Sequence, residues 1–279
     1  MTTLDLTDVP DYSAMSRLDG RKFIVLGAGQ GIGRQTAHAL SQAGASLFCV
    51  DRDSRLVESV AGEVGGMPWT GDVTVREDFT EMFARARAEL GVINGLVDIV
   101  GMAKLKPLAT FTDEDWQWQF DIVLRHVFLA LQLGAPHLAA SGGGPMIFVG
   151  SISGDLCVPA ETVYGSTKAA QHHLVRSAAL EYAPQRIRIN AISPGFTRTP
   201  RLLQMLDDEN WAEIDRAIPI GRAALPAEMA SVILFLASDL ANHITGQVIT
   251  VDGGLSISTT FPRMRPKQTP TPHTPNTPK

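Results

Sequence analysis

From Lys22 onward the chain alternates short, almost continuously apolar runs with longer stretches whose apolar residues recur every three to four positions. A strand apolar on both sides of its pleat has both faces covered, so this alternation predicts a parallel sheet between two layers of helices. The runs at 23–27, 46–50, 68–70, 95–100, 146–150, 187–192 and 247–251 read as strands. The stretches at 31–43, 54–61, 76–90, 113–139, 162–183 and 226–237 read as helices. Thr112-Asp113-Glu114-Asp115 loads one helix start with a capping hydroxyl and negative charge, and Pro184 stops another helix. The expected fold class is α/β: a doubly wound, parallel seven-stranded sheet of Rossmann type with helices on both faces.

Hydrophobic residues make up 44% of the 279, enough for the core of one large domain. That domain is expected at 18–258, after a polar, acidic extension at 1–17. Residues 259–279 form a Pro-rich tail, with too little apolar surface to offset the cost of ordering. With 24 Lys and Arg against 29 Asp and Glu, the net charge of −5 gives no overall attraction to nucleic acid or to an anionic membrane, so neither is an expected partner. The first 19 residues lack the apolar core of a signal peptide, and no apolar run approaches the roughly 20 residues that span a bilayer. Cys49 and Cys157 are far apart, offering neither a disulfide framework nor a metal cluster, and a soluble, cytoplasmic protein is expected. His126, His137, His172 and His173 fall on helices without ligand spacing to a carboxylate, so no metal is assigned.

The candidate chemistry lies in two places. Leu26-Gly27-Ala28-Gly29-Gln30-Gly31-Ile32-Gly33 follows the first strand and opens a helix. Glycines there allow a tight turn and a close backbone approach, and the helix start offers free N–H groups to a pyrophosphate. The second strand ends at Asp51-Arg52, about 20 residues on, where a carboxylate accepts from an adenosine ribose and repels a ribose phosphate. Asp51 favours NAD; Arg52 keeps NADP open as the second reading. The other place is Tyr164-Gly165-Ser166-Thr167-Lys168, with Ser151 thirteen positions before Tyr164. Residues four apart share a helix face, so the Lys168 ammonium is expected beside the Tyr164 phenol, lowering its pKa and making it a usable base.

Together these residues resemble the short-chain dehydrogenase/reductase family, in its compact single-domain subgroup, from Leu18 to about Ser256. The resemblance extends to Asp72-Val73, to Asn190-Ala191-Ile192-Ser193-Pro194-Gly195 with Thr197 and Thr199, and to the ending Thr245-Gly246-Gln247-Val248-Ile249-Thr250-Val251-Asp252-Gly253-Gly254. It implies that Tyr164 exchanges the substrate proton, that Lys168 holds the nicotinamide ribose and tunes Tyr164, and that Ser151 hydrogen-bonds the substrate oxygen. It also implies adenine contacts at Asp72 and Val73, and backbone contacts to the nicotinamide amide at Ile192 and Thr199. Val100, Gly101, Pro194 and Gly195 complete the cofactor set.

Two departures stand out. Where the family has Asn-Asn-Ala-Gly, this chain reads Asp98-Ile99-Val100-Gly101, and the asparagine of the long helix aligns with Val123. That asparagine anchors a water chain carrying protons from the lysine to solvent, so the relay here must be rerouted, shortened or slower. Leu26 replaces the threonine that precedes the loop, a change read as packing. Substrate walls are expected from 102–108, 153–158 and 196–211, with Ser153, Cys157 and Phe196 as contacts among Leu105, Leu156, Val158, Leu202, Leu203, Met205, Leu206 and Trp211. This apolar lining points to an alicyclic, terpenoid, steroid or aromatic secondary alcohol or its ketone. Lys104 and Lys106 leave open a 3-oxoacyl thioester reduced with NADPH, and the Asp98 and Val123 departures leave open a non-catalytic nicotinamide-binding protein. The helices at 113–139 and 162–183 are apolar over more of their circumference than one sheet face needs, so a homotetramer is expected, with a dimer second.

Overall fold

A computed structural model describes residues 9–258, and the seven apolar runs form a single sheet in it. Its strands are β1 (Lys22–Leu26), β2 (Ser46–Asp51), β3 (Met67–Thr70), β4 (Gly95–Asp98), β5 (Gly144–Val149), β6 (Ile187–Pro194) and β7 (Val248–Val251). All pairings are parallel, in the order β3-β2-β1-β4-β5-β6-β7. The order reverses between β1 and β4, and the loops leaving their carboxyl ends diverge there. Such a switch point opens the crevice in which doubly wound sheets bind ligands.

The helices are α1 (Gly31–Gln42), α2 (Ser54–Val64), α3 (Arg76–Leu90), α4 (Asp113–Ala140), α5 (Thr162–Tyr182), α6 (Pro200–Met205), α7 (Asp208–Ala217) and α8 (Pro226–Ala237). One sheet face packs on α3, α4 and α5 through residues such as Phe79, Val127 and Val175, and the other on α1, α2 and α8 through Leu40, Val57 and Ile233. A smaller core of Ile152, Trp211, Ile214 and Leu255 lies under α6 and α7. The expected α/β class and doubly wound topology are thus what the chain adopts.

Several details differ from the expectation. β4 stops at Asp98 because its carboxylate accepts from Val100 N at 3.0 Å and turns the chain out of the sheet. α6 and α7 occupy a segment read only as substrate wall; Thr199 and Asp207 cap them by accepting from Leu202 N and Asn210 N. α4 contains two π-helical segments, Asp121–Arg125 and Ala130–Gly134. Contrary to the sequence expectation, α4 is also long and apolar enough, by length and composition, to cross a bilayer. Half of its most apolar window is buried, with Val127, Leu129 and Leu138 in the core, so packing accounts for that composition. The Pro-rich tail and the first eight residues lie outside the described residues.

Candidate active site

The glycine loop is shaped by contacts that only glycine permits. Gly27 and Gly31 have φ of +77° and +57°, a region costly for residues with a Cβ. Gly33 packs so closely that a Cβ there would stand 1.9 Å from the Gly27 carbonyl oxygen. Gly27 N and Ala28 N both donate to Val50 O, at 2.8 and 3.0 Å, and tie the loop to the end of β2. Asp51 follows directly. One of its oxygens accepts from Gly29 N at 2.9 Å and the other from Asp53 N at 3.1 Å, which fixes the carboxylate beside the loop. Arg52 is exposed and forms no ion pair among the described residues.

A cavity of about 520 Å³ runs along the carboxyl ends of the strands. At one end it is lined by Gly27, Gln30, Gly31, Ile32, Asp51, Arg52, Asp72 and Val73. Val100, Gly101, Pro194, Gly195, Thr197 and Thr199 line its middle, where it meets Ser151, Ser153, Tyr164 and Lys168. It closes among Leu105, Val158, Phe196, Leu202 and Met205. Gly29 and Gly33 stand behind the loop. Two expected contacts are not brought there. Ile192 is fully buried in β6, and Cys157 is exposed and outside the lining because the turn aims its neighbour Val158 inward instead. Of the other expected walls, Leu206 and Trp211 are buried in the small core beneath α6 and α7, Leu156 packs against it and Leu203 is exposed.

Tyr164 and Lys168 share one face of α5, and Ser151 leaves β5 to cap the short turn Ile152–Gly154, accepting from Ser153 N at 3.2 Å. Ser151 also hydrogen-bonds the Tyr164 phenol. The ammonium is not aimed at that phenol. Lys168 Nζ donates to Val149 O at 2.7 Å and to Gln171 Oε1 at 2.8 Å, and lies 5.9 Å from the Tyr164 ring centre. Burial brings Lys168 down to about 7, with Asp98 opposing. Burial likewise pushes the Tyr164 phenol above its ordinary value, Ser151 opposing and Glu161 adding to the rise. The expectation of a lowered phenol pKa is therefore corrected. In this geometry burial holds Tyr164 as a neutral phenol beside Ser151.

These residues fit a nicotinamide dinucleotide. The two left-handed glycines leave the backbone bare at the head of α1, Asp51 stands at the end of β2, and Gly101 leaves space beside Lys168, where a Cβ would come within 3.2 Å of Nζ.

A family model described as "Enoyl-(Acyl carrier protein) reductase" matches residues 27–256. The chain is 34% identical to the 3-oxoacyl-(acyl-carrier-protein) reductase FabG of Thermotoga maritima over 246 residues, 86% of this chain and all of that protein. It is 32% identical to the galactitol 2-dehydrogenase (L-tagatose-forming) of Cereibacter sphaeroides, over 88% of this chain and 99% of that protein. Among solved structures, a 7α-hydroxysteroid dehydrogenase complexed with NADH and 7-oxo glycochenodeoxycholic acid superposes with a TM-score of 0.84 at 31% identity, covering 88% of this chain and 98% of that one. The chain belongs to the short-chain dehydrogenase/reductase family. It is an oxidoreductase that interconverts CH–OH and C=O groups with a nicotinamide cofactor.

For a short-chain dehydrogenase/reductase, three arrangements here were not read from the sequence. Glu161, three residues before Tyr164, is buried on the cavity wall and accepts from Ser153 Oγ at 2.5 Å. Asp98 Oδ2 lies 2.7 Å from His126 Nδ1, both side chains being sealed from solvent. Lys104 and Lys106 are both bound to Asp115, at 2.6 and 2.5 Å, and hold its carboxyl well below the carboxylate range. These lysine side chains stay about one-third exposed, but their ammonium groups are engaged by Asp115 rather than free for a substrate phosphate. Val123, the expected asparagine position, is buried within the first π segment, and its neighbour Ile122 lines the cavity in its place. Neither side chain can hold a water by a hydrogen bond.

Proposed function

We propose that this protein is an NAD-linked dehydrogenase or ketone reductase acting on a hydrophobic secondary alcohol and its ketone, of alicyclic, terpenoid, steroid or aromatic type. One observation carries the reading: a single cavity joins Asp51 to Tyr164 and then ends among Leu105, Val158, Phe196, Leu202 and Met205. The nicotinamide supplies the hydride acceptor or donor. Ser151 hydrogen-bonds the substrate oxygen, Tyr164 exchanges its proton, and Lys168 holds the nicotinamide ribose from the floor of the site. The glycine loop, with Gln30 and Ile32, carries the pyrophosphate, Asp51 the adenosine ribose, and Asp72 and Val73 the adenine. Val100, Gly101, Pro194, Gly195, Thr197 and Thr199 flank the nicotinamide half.

Purified protein offered NAD⁺ and NADP⁺ with apolar secondary alcohols, cyclic diols and steroids tests this directly. Faster turnover with NAD⁺ and an apolar alcohol is expected. Turnover confined to polyols, or to 3-oxoacyl thioesters with NADPH, overturns it. The thioester reading has one observation in its favour, the unpaired Arg52 beside Asp51. Against it, the lysines expected to meet a thioester's phosphates are engaged by Asp115.

We also infer a cytoplasmic homotetramer. Trp116 and Phe128 on α4 and Leu180 on α5 are large apolar side chains left 48%, 44% and 80% exposed, and a partner subunit would cover them. The two cysteines are free, which suits a reducing compartment. Light scattering on the purified chain reads the assembly, and a monomer would exclude it.

A further inference from the structure

A hydrogen-bonded chain leads away from the Tyr164 phenol. Tyr164 bonds Ser151, Ser151 Oγ lies 3.2 Å from Ser153 Oγ, and Ser153 Oγ lies 2.5 Å from Glu161 Oε2. Each hydroxyl carries one proton, and an ionised carboxylate can only accept. With Glu161 ionised, Ser153 gives its proton to Glu161, so Ser151 must give its own to Ser153, and Tyr164 must donate to Ser151. The chain is directed from phenol to carboxylate. Protonating Glu161 reverses each bond, and Ser151 then presents its proton to Tyr164 or to a substrate oxygen.

The backbone is strained to place this carboxylate. Ala160 has φ +64°, left-handed for a residue with a side chain, and is clamped by Lys106 N donating to its carbonyl at 2.9 Å. Glu161 then opens α5, its carbonyl accepting from Gly165 N at 2.6 Å, with its side chain at the cavity wall and the residue 9% exposed. Burial raises its carboxyl above the ordinary glutamate range, with the Ser153 hydrogen bond opposing. The ionisable groups that share its part of the structure are Tyr164 and Lys168 on α5 and Arg201 on α6, which line the same cavity, and Lys106, whose backbone N–H bonds the neighbouring Ala160. None forms an ion pair with it.

We propose that Glu161, acting through Ser153 and Ser151, is the terminal proton acceptor and donor for Tyr164, taking the place of a water path anchored on α4. The proposal rests on Tyr164 being the acid/base group. In alcohol oxidation the substrate C–H bond breaks and both its electrons leave as hydride for the nicotinamide. The substrate hydroxyl proton passes to Tyr164 Oη, the phenol proton to Ser151, that of Ser151 to Ser153, and that of Ser153 to Glu161 on the cavity wall, which releases it to solvent in the cavity. Reduction runs the same transfers backwards from a protonated Glu161.

Two readouts test it. The first needs no turnover: alkaline titration of the phenols by ultraviolet absorption, with the Tyr164 step identified by its loss in Tyr164→Phe. Glu161→Gln removes a neighbouring negative charge and should move that step to lower pH; an unmoved step overturns the coupling. The second is kcat/KM for alcohol oxidation over about pH 5 to 9. Oxidation needs ionised Glu161, so the wild-type rate should fall on the acid side. Glu161→Gln should lose that limb and run roughly ten- to a hundredfold slower. Glu161→Asp should restore the limb, and Ser153→Ala, which keeps the carboxylate but cuts the chain, should be slowed like Glu161→Gln. Rates of both within about twofold of wild type, with the limb intact, overturn the relay. A wild-type enzyme inactive on every alcohol overturns the proposed function instead, and the phenol titration still decides the relay.

Discussion

Asp98 and His126 form a sealed pair, with Oδ2 of one 2.7 Å from Nδ1 of the other and neither side chain touching solvent. Asp98 ends β4 and His126 follows the first π segment of α4, so the contact fastens the crevice's central strand to the helix beneath it. The second carboxylate oxygen turns the chain toward Gly101 by accepting from Val100 N at 3.0 Å. Its charge also opposes the fall in the Lys168 pKa. A position read as a lost asparagine amide is therefore half of a buried pair that supports the site from below.

Cutting that pair from one side should be costly. His126→Ala leaves Asp98 buried without its partner, and breaking a buried pair in this way costs about 3–5 kcal/mol. Chemical denaturation should show that loss. The double variant Asp98→Asn, His126→Ala removes the stranded charge and keeps an acceptor for Val100 N, so it should recover part of the loss. A double variant no more stable than His126→Ala would refute the pairing as the cause.

Asp51 gives a cleaner test of cofactor choice than its position alone suggests. Its Oδ2 accepts from Gly29 N, so truncation would loosen the loop as well as remove charge. Asp51→Asn keeps the acceptor for Gly29 N while removing the charge and the second acceptor, which faces Asp53 N. With Arg52 unpaired beside it, this variant should shift the ratio of kcat/KM for NADP⁺ over NAD⁺ upward by at least about tenfold, some 1.4 kcal/mol of relieved like-charge repulsion. An unchanged ratio would show that Asp51 does not set the preference.

Legibility in the sequence followed physical range. The strands were readable because a sheet covered on both faces demands continuous apolar runs, and their ends moved by only a few residues where a side chain such as Asp98 captured a backbone N–H. The glycine loop was readable because its turns admit no other residue. α6 and α7 were missed although Thr199-Pro200 and Asp207 carry ordinary helix-start signals, because an apolar segment near a cavity reads equally well as wall. Glu161 and the direction of the Lys168 ammonium depend on Ala160 adopting φ +64° and on Gln171 and Val149 O competing for Nζ. No residue spacing encodes either.

Tyr164→Phe separates chemistry from binding. The phenol lines the cavity and hydrogen-bonds Ser151, while the glycine loop and Asp51 lie at the far end. Loss of the acid/base hydroxyl should lower kcat by about 10²- to 10⁴-fold while the dissociation constant for NADH, read by fluorescence, changes by less than about twofold. A weakened dinucleotide complex at unchanged kcat would reassign Tyr164 to binding.

Lys168 makes stability depend on pH with a definite sign. Its pKa falls from 10.5 in the unfolded chain to about 7 in the fold, because burial disfavours the ammonium. Between those values the unfolded chain binds more protons than the folded one, so this group makes stability rise with pH. Its penalty is complete below about pH 7 and gone above 10.5. Lys168→Met, of similar length and without the charge, should therefore raise Tm most at pH 6 to 7, with the gain shrinking toward pH 10.5. The Met side chain also strands Val149 O and Gln171 Oε1, which lowers Tm by the same amount at every pH and leaves the slope untouched. It is the slope of the Tm difference that carries the prediction, and a difference constant across that range would mean that Lys168 titrates near its unfolded value.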